Sequence, residues 1–146
     1  MLLLVHTVTG AIIGEKISNP WLVSFLAFGS HFILDWIPHW SYDIPKRLDP
    51  REFLRIMPDV ITTACIFIIF LFVYPEMWLT IVLGVFFACL PDALTLANYL
   101  PGLRRVFQRF NNWHGRLQVH DERILGLLSQ VIYVSLLMVI LININT

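Results

Sequence analysis

Charge is scarce in this chain. Of its 146 residues only 14% are Asp, Glu, Lys or Arg, and ten bases balance ten acids. That balance excludes a nucleic-acid binder with a basic face, and the shortage of charge excludes a disordered polar chain. Cysteine is scarce too. Cys65 and Cys89 each lie in an apolar run with no second Cys at ligand spacing, which excludes a disulfide scaffold and leaves both as small packing residues. The first residues, MLLLVHTVTGAIIG, lack a basic n-region and an A-x-A site and carry His6 in the apolar run, so they read as a helix and not as a signal peptide. What the chain does have is apolar bulk. Hydrophobic residues make up 58% and the mean hydropathy is +0.73, more than a soluble domain of this length can cover. The expectation is a single-domain, all-α integral membrane protein.

Punctuation along the sequence sets the elements. Residues 2–17 form a short first helix, tilted, re-entrant or only partly spanning, with Gly10 and Gly14 as a small-residue ridge that admits a close neighbour. Asn19-Pro20 is a start signal for a helix over 20–38, which Pro38 ends. Asp49-Pro50-Arg51-Glu52 opens a third helix over 50–74, with Asp49 as cap and Pro58 as an internal kink that frees the Leu54 carbonyl. A fourth helix spans 76–99, interrupted by Pro91. Pro101-Gly102 is a turn. Over 103–113, Leu103, Val106, Phe107, Phe110 and Trp113 alternate with Arg104, Arg105, Gln108 and Arg109, the pattern of an amphipathic helix on a membrane surface or against the bundle. The last span is 122–143. The prediction is a bundle of about five helices plus one surface helix.

An up-down order puts loops 40–55 and 100–123 on one side. They hold Lys46, Arg47, Arg51, Arg55, Arg104, Arg105, Arg109, Arg116 and Arg123, nine of the ten basic residues. The positive-inside rule makes that side, and the N-terminus, cytoplasmic in an inner, plasma-type membrane. Trp21, Trp36, Trp40, Trp78 and Trp113 fall near span ends, as interfacial anchors do.

On this map the five histidines and three intramembrane aspartates all fall toward the same face. Ionisable groups in a bilayer are costly, and His and Asp are the residue types that hold divalent metals. His31, Asp35 and His39 stand at i, i+4 and i+8, drifting only about 40° per step along one helix face. They are candidate metal ligands or a hydrogen-bonded packing pair. Asp59 and Asp92 each follow a proline and are candidate ligands or general bases, with pairing to a loop Arg as the alternative. His6 is a candidate ligand or a packing histidine. His114 is a candidate catalytic group and His120 a candidate ligand, unless both are merely solvated. Arg116 is a candidate phosphate-binding residue or a membrane-surface contact. Asp43, Asp49, Glu52, Asp121 and Glu122 read as loop and cap residues.

These motifs resemble a known family. His6-Thr-Val-Thr-Gly10, Ser30-His-Phe-Ile-Leu-Asp-Trp-Ile-Pro-His39, Leu90-Pro-Asp92 and the segment His114 to His120 are similar to the small bacterial and archaeal inner-membrane proteins known as membrane-bound metal-dependent hydrolases. The chain departs from that pattern where Asp92 is followed by Ala-Leu-Thr and the two late histidines stand six apart. The resemblance implies a hydrolase. Together the readings predict a divalent metal, zinc first and manganese or magnesium as alternatives, held by His31, Asp35 and His39 with His6, Asp59 and Asp92. The expected partners are membrane lipids or a lipid-linked phosphoester, with no nucleic acid, and a homo-oligomer is open. The competing readings are a proton or metal-ion transporter and a structural membrane protein with a buried polar network.

Overall fold

A computed structural model describes residues 1–42, 50–95, 102–120 and 122–144. Six α-helices follow in order: α1 (Leu3–Lys16), α2 (Pro20–Trp36), α3 (Pro50–Val73), a 3₁₀ turn at Pro75–Met77, α4 (Trp78–Thr95), α5 (Leu103–Leu117) and α6 (Arg123–Ile144). No strand occurs among the described residues. Asp43, Lys46, Arg47, the Asp49 cap, the stretch 96–99, Pro101 and Asp121 lie outside the described residues.

The short first helix is the centre of the bundle. α1 packs most extensively on α4 and also touches α2, α3 and α6. Its residues are apolar or small on every side, so it buries all round: Val5, Val8, Ala11 and Gly14 are covered as well as His6, Thr7 and Thr9. The Gly10–Gly14 ridge has its partner on α4. A Cβ on Gly10 would run into the Gly84 carbonyl, and one on Gly14 would run into Thr80. The two backbones therefore touch, as small-residue helix packing allows.

Around this centre the chain is turned inside out relative to a soluble protein. Leu54–Val73, Pro75–Thr95 and Arg123–Leu141 are long and apolar enough to cross a membrane. Their outward faces carry Ile61, Phe72, Phe86, Leu128 and Ile132 exposed, Phe72 by 82%, a surface suited to hydrocarbon. α1 and α2, at 14 and 17 residues, are shorter than these spans.

Local signals explain the ends. Asn19 Oδ1 accepts the Trp21 and Leu22 amides at 3.0 and 3.2 Å, ahead of Pro20 at the first helical position. Pro38 stops α2, which closes at Trp36. Pro58 and Pro91 are both carried within their helices. The amphipathic helix runs four residues further than the sequence stripe suggests. Gly115 does not break it, because His114 and Leu117 extend the same face. Val106 and Trp113 remain exposed on that helix, in keeping with an apolar face that only partly packs.

Candidate metal centre

Four elements bring the site together. α2 supplies His31 and Asp35 one turn apart on its buried face, and α1 supplies His6 from its first turns. α4 supplies Asp92 just after Pro91, and α5 supplies His114 near its end. His6, His31, Asp35, His39 and His114 are all fully buried. Asp92 is the part-open member, with 26% of its side chain exposed.

Asp35 is the hub. Its Oδ2 lies 2.8 Å from His114 Nε2 and 3.2 Å from His31 Nε2, and it accepts Gln118 Nε2 at 3.3 Å. Its Oδ1 lies 3.4 Å from His6 Nε2 and 4.0 Å from His39 Nε2, and the Met1 nitrogen donates to it at 3.2 Å. His31 Nε2 and His114 Nε2 are 3.0 Å apart. Asp92 Oδ1 stands 3.7 Å from His31 Nε2, and Asp92 Oδ2 stands 3.9 Å from His6 Nε2.

One proton in the cluster is fixed by a backbone contact. His31 Nδ1 lies 2.7 Å from the Ala88 carbonyl, which can only accept, so Nδ1 carries a hydrogen, and in the neutral ring Nε2 is the lone pair. That lone pair points at carboxylate oxygen and at a second imidazole. A ring held from behind by a carbonyl, with its free nitrogen facing other donors of electron pairs, is the arrangement of a metal-ligating histidine. Ligand atoms about 2.0–2.1 Å from a tetrahedral zinc stand about 3.3 Å apart. The 2.8–3.2 Å triangle of His31, Asp35 and His114 is close to that edge length. His31, Asp35, Asp92 and His114 each offer one ligand atom, all within 4.8 Å of one another, and can hold a metal ion.

The other sequence candidates fall around this cluster. His39 follows the end of α2, and its Nδ1 donates to the Ile37 carbonyl at 2.7 Å. Burial pushes its imidazole down to about 4. A short parallel bridge joins His39 to His120, with the His39 amide on the Val119 carbonyl and the Val119 amide on the Asp35 carbonyl. This pairing clamps the segment after α5 to the end of α2. His120 itself is exposed, with Nδ1 3.3 Å from Ser41 Oγ. Arg116 is exposed on α5. Asp59 is engaged elsewhere, accepting the Leu3 and Leu4 amides at 2.9 and 3.2 Å. It reaches from α3 to cap the exposed donors at the start of α1, and stands outside the four-residue cluster.

Three contributors are not visible as site residues in the sequence. The Ala88 carbonyl orients His31, and a backbone atom leaves no mark in a side-chain pattern. Gln118 touches Asp35 from beyond α5. Gln130, buried on α6, accepts the Leu2 amide at 2.9 Å and donates to the Trp40 carbonyl at 2.8 Å, tying the start of α1 to the segment after α2. A buried Gln in an apolar span is the signal that points to it. Compared with family models, with curated proteins and with solved structures, the chain matches none.

Proposed function

We propose that this chain is a multi-pass inner-membrane protein that binds a divalent metal, zinc first, and uses it to hydrolyse a lipid-linked phosphoester at the cytoplasmic face. The observation that carries the reading is the orientation of His31, whose Nε2 is turned into the cluster. It is fixed by the Ala88 carbonyl and aimed, together with His114, at Asp35.

The chain's own residues divide the work. His31, His114 and Asp35 form the closed, buried side of the site, and Asp92 forms the open side. Asp92 is therefore the carboxylate that incoming water meets. A divalent ion held there supplies a lowered water pKa and polarisation of a phosphoryl oxygen. Arg116, exposed on α5 two residues after His114, is the basic side chain we assign to an anionic phosphate. An open apolar groove between α2 and α4, lined by Trp21, Phe25, Phe28, Leu83, Phe87 and Leu90, lies along the helices that carry His31 and Asp92. Its lining suits a hydrocarbon tail and supports a lipid-linked substrate over a soluble one. The basic loops support the cytoplasmic side for this end of the bundle.

Metal content decides the first half. Purified wild-type protein in detergent, free of chelator, should carry stoichiometric metal, and Asp35→Ala and His31→Ala should lose it. Metal-free wild type would sink the proposal. Release of phosphate from a panel of phospholipids and polyprenyl phosphates decides the second half. A metal-loaded protein without turnover on that panel would leave a carrier or structural role.

A further inference from the structure

We propose that the cluster holds two divalent cations, with Asp35 and Asp92 each giving one carboxylate oxygen to either position. This rests on the metal reading above and extends it. The first position is the one already described, between His31 Nε2, His114 Nε2, Asp35 Oδ2 and Asp92 Oδ1. The second lies on the other side of the same two carboxylates. There His6 Nε2 stands 3.4 Å from Asp35 Oδ1 and 3.9 Å from Asp92 Oδ2, and His39 Nε2 stands 4.0 Å from Asp35 Oδ1.

The independent observation is a pair of orphaned nitrogens. His6 Nε2 and His39 Nε2 are buried and have no hydrogen-bond partner. Both belong to fully buried side chains. His39 spends its Nδ1 hydrogen on the Ile37 carbonyl, so its Nε2 is a bare lone pair facing a carboxylate oxygen. A lone pair facing a carboxylate oxygen is repelled unless a positive group lies near, and the Met1 ammonium, 3.2 Å from the same Oδ1, is such a group. Buried polar atoms are almost always satisfied, and unpartnered ones call for an explanation. The stack of His6 on His31, with ring centroids 4.0 Å apart, accounts for the plane of the ring but for neither of its nitrogens. The Met1 nitrogen also donates to Asp35 Oδ1. A carboxylate oxygen has two lone pairs, so one remains for a cation.

The split of the carboxylates is what makes the site double. Each of Asp35 and Asp92 turns one oxygen to the His31 side and the other to the His6 side. Carboxylates shared in this way are suited to two-metal centres, in which the ions stand about 3.5–4 Å apart and clamp both the attacking and leaving oxygens of a phosphoester.

The test counts metals. Wild-type protein loaded with zinc and desalted should carry two equivalents per chain by mass spectrometry. The double variant His6→Ala/His39→Ala should carry one. Wild type loaded with manganese should give the exchange-coupled paramagnetic resonance spectrum of two adjacent ions, and the double variant that of an isolated ion. One equivalent in wild type, with an uncoupled manganese spectrum, overturns the second position and leaves the single-metal reading standing. No metal at all overturns both. If the double variant does not fold, His39→Gln should still lower the count, and the wild-type coupling is read without any variant.

Discussion

His31 Nδ1 donates to the Ala88 carbonyl across the α2–α4 seam at 2.7 Å. The contact does two things with one hydrogen. It ties the two helices together at the level of the site, and it holds a hydrogen on Nδ1, so the neutral ring turns its Nε2 lone pair to Asp35 and His114. The pairing explains why the cluster sits where α2 and α4 approach each other. The close α1–α4 contact through Gly10 and Gly84 then brings His6 to the same point.

Gln118 completes the hub from the segment after α5, donating to the same Asp35 oxygen that faces His31 and His114. A partner of this kind orients a ligand without touching the metal. Replacing one costs about 10–100-fold in metal affinity. Gln118→Ala should therefore weaken zinc binding by about tenfold or more while leaving the number of ions bound unchanged. Competition against a zinc indicator gives both quantities in one titration, and an unchanged affinity would remove Gln118 from the site.

The α1–α4 contact has no room for a side chain. A Cβ on Gly84 would enter the Gly10 carbonyl, so the helices must separate to accept it. Overpacking of this kind costs about 1–3 kcal/mol. Gly84→Ala should lower the unfolding temperature in detergent. Because α1 carries His6 and α4 carries Asp92, it should lower metal occupancy as well. Gly29→Ala is the control, since a Cβ there meets nothing within 4 Å, and it should leave both readouts unmoved.

Much of this arrangement is legible in the sequence, for reasons that also mark where legibility ends. His31 and Asp35 are found by spacing, because helical periodicity alone puts residues four apart on one face. Asn19-Pro20 and Pro38 bound α2 because backbone sterics and capping are local. Gly10 and Gly14 announce a close neighbour, but only Gly84, far along the chain, says which one. His114 is harder. Gly115 and the polar residues around it read as a loop, yet the apolar stripe continues through Leu117 and the helix continues with it. The Ala88 carbonyl is invisible in principle, since any residue there would present it. Asp59 illustrates the converse: an acid after a proline inside an apolar span looks like site chemistry, while its bonds to Leu3 and Leu4 are those of a cap supplied from another helix.

That placement of Asp59 separates two outcomes. A cap acceptor contributes about 0.5–2 kcal/mol, and an Asn can keep one of its two bonds. Asp59→Ala should destabilise the protein by about 1 kcal/mol, Asp59→Asn by less, and neither should change the metal count. Thermal unfolding and elemental analysis on the same preparations check this. Loss of metal in Asp59→Asn, with stability retained, would return Asp59 to the ligand set.

Acid should act on the metal-free protein through His39. Burial pushes its imidazole down from an ordinary value of 6.5 to about 4. In the unfolded chain His39 takes up a proton as pH falls below 6.5, while in the folded chain it stays neutral until about pH 4. Protons therefore favour the unfolded state across that window. The contribution is whole above pH 6.5, declines as pH falls, and is gone once pH has dropped through 4. Thermal unfolding of chelator-treated protein between pH 8 and pH 4 should show stability falling across this range. His39→Gln, which cannot titrate, should fall less steeply over the same range even if it begins lower. Parallel curves for the two proteins would mean that His39 is not held neutral in the folded chain.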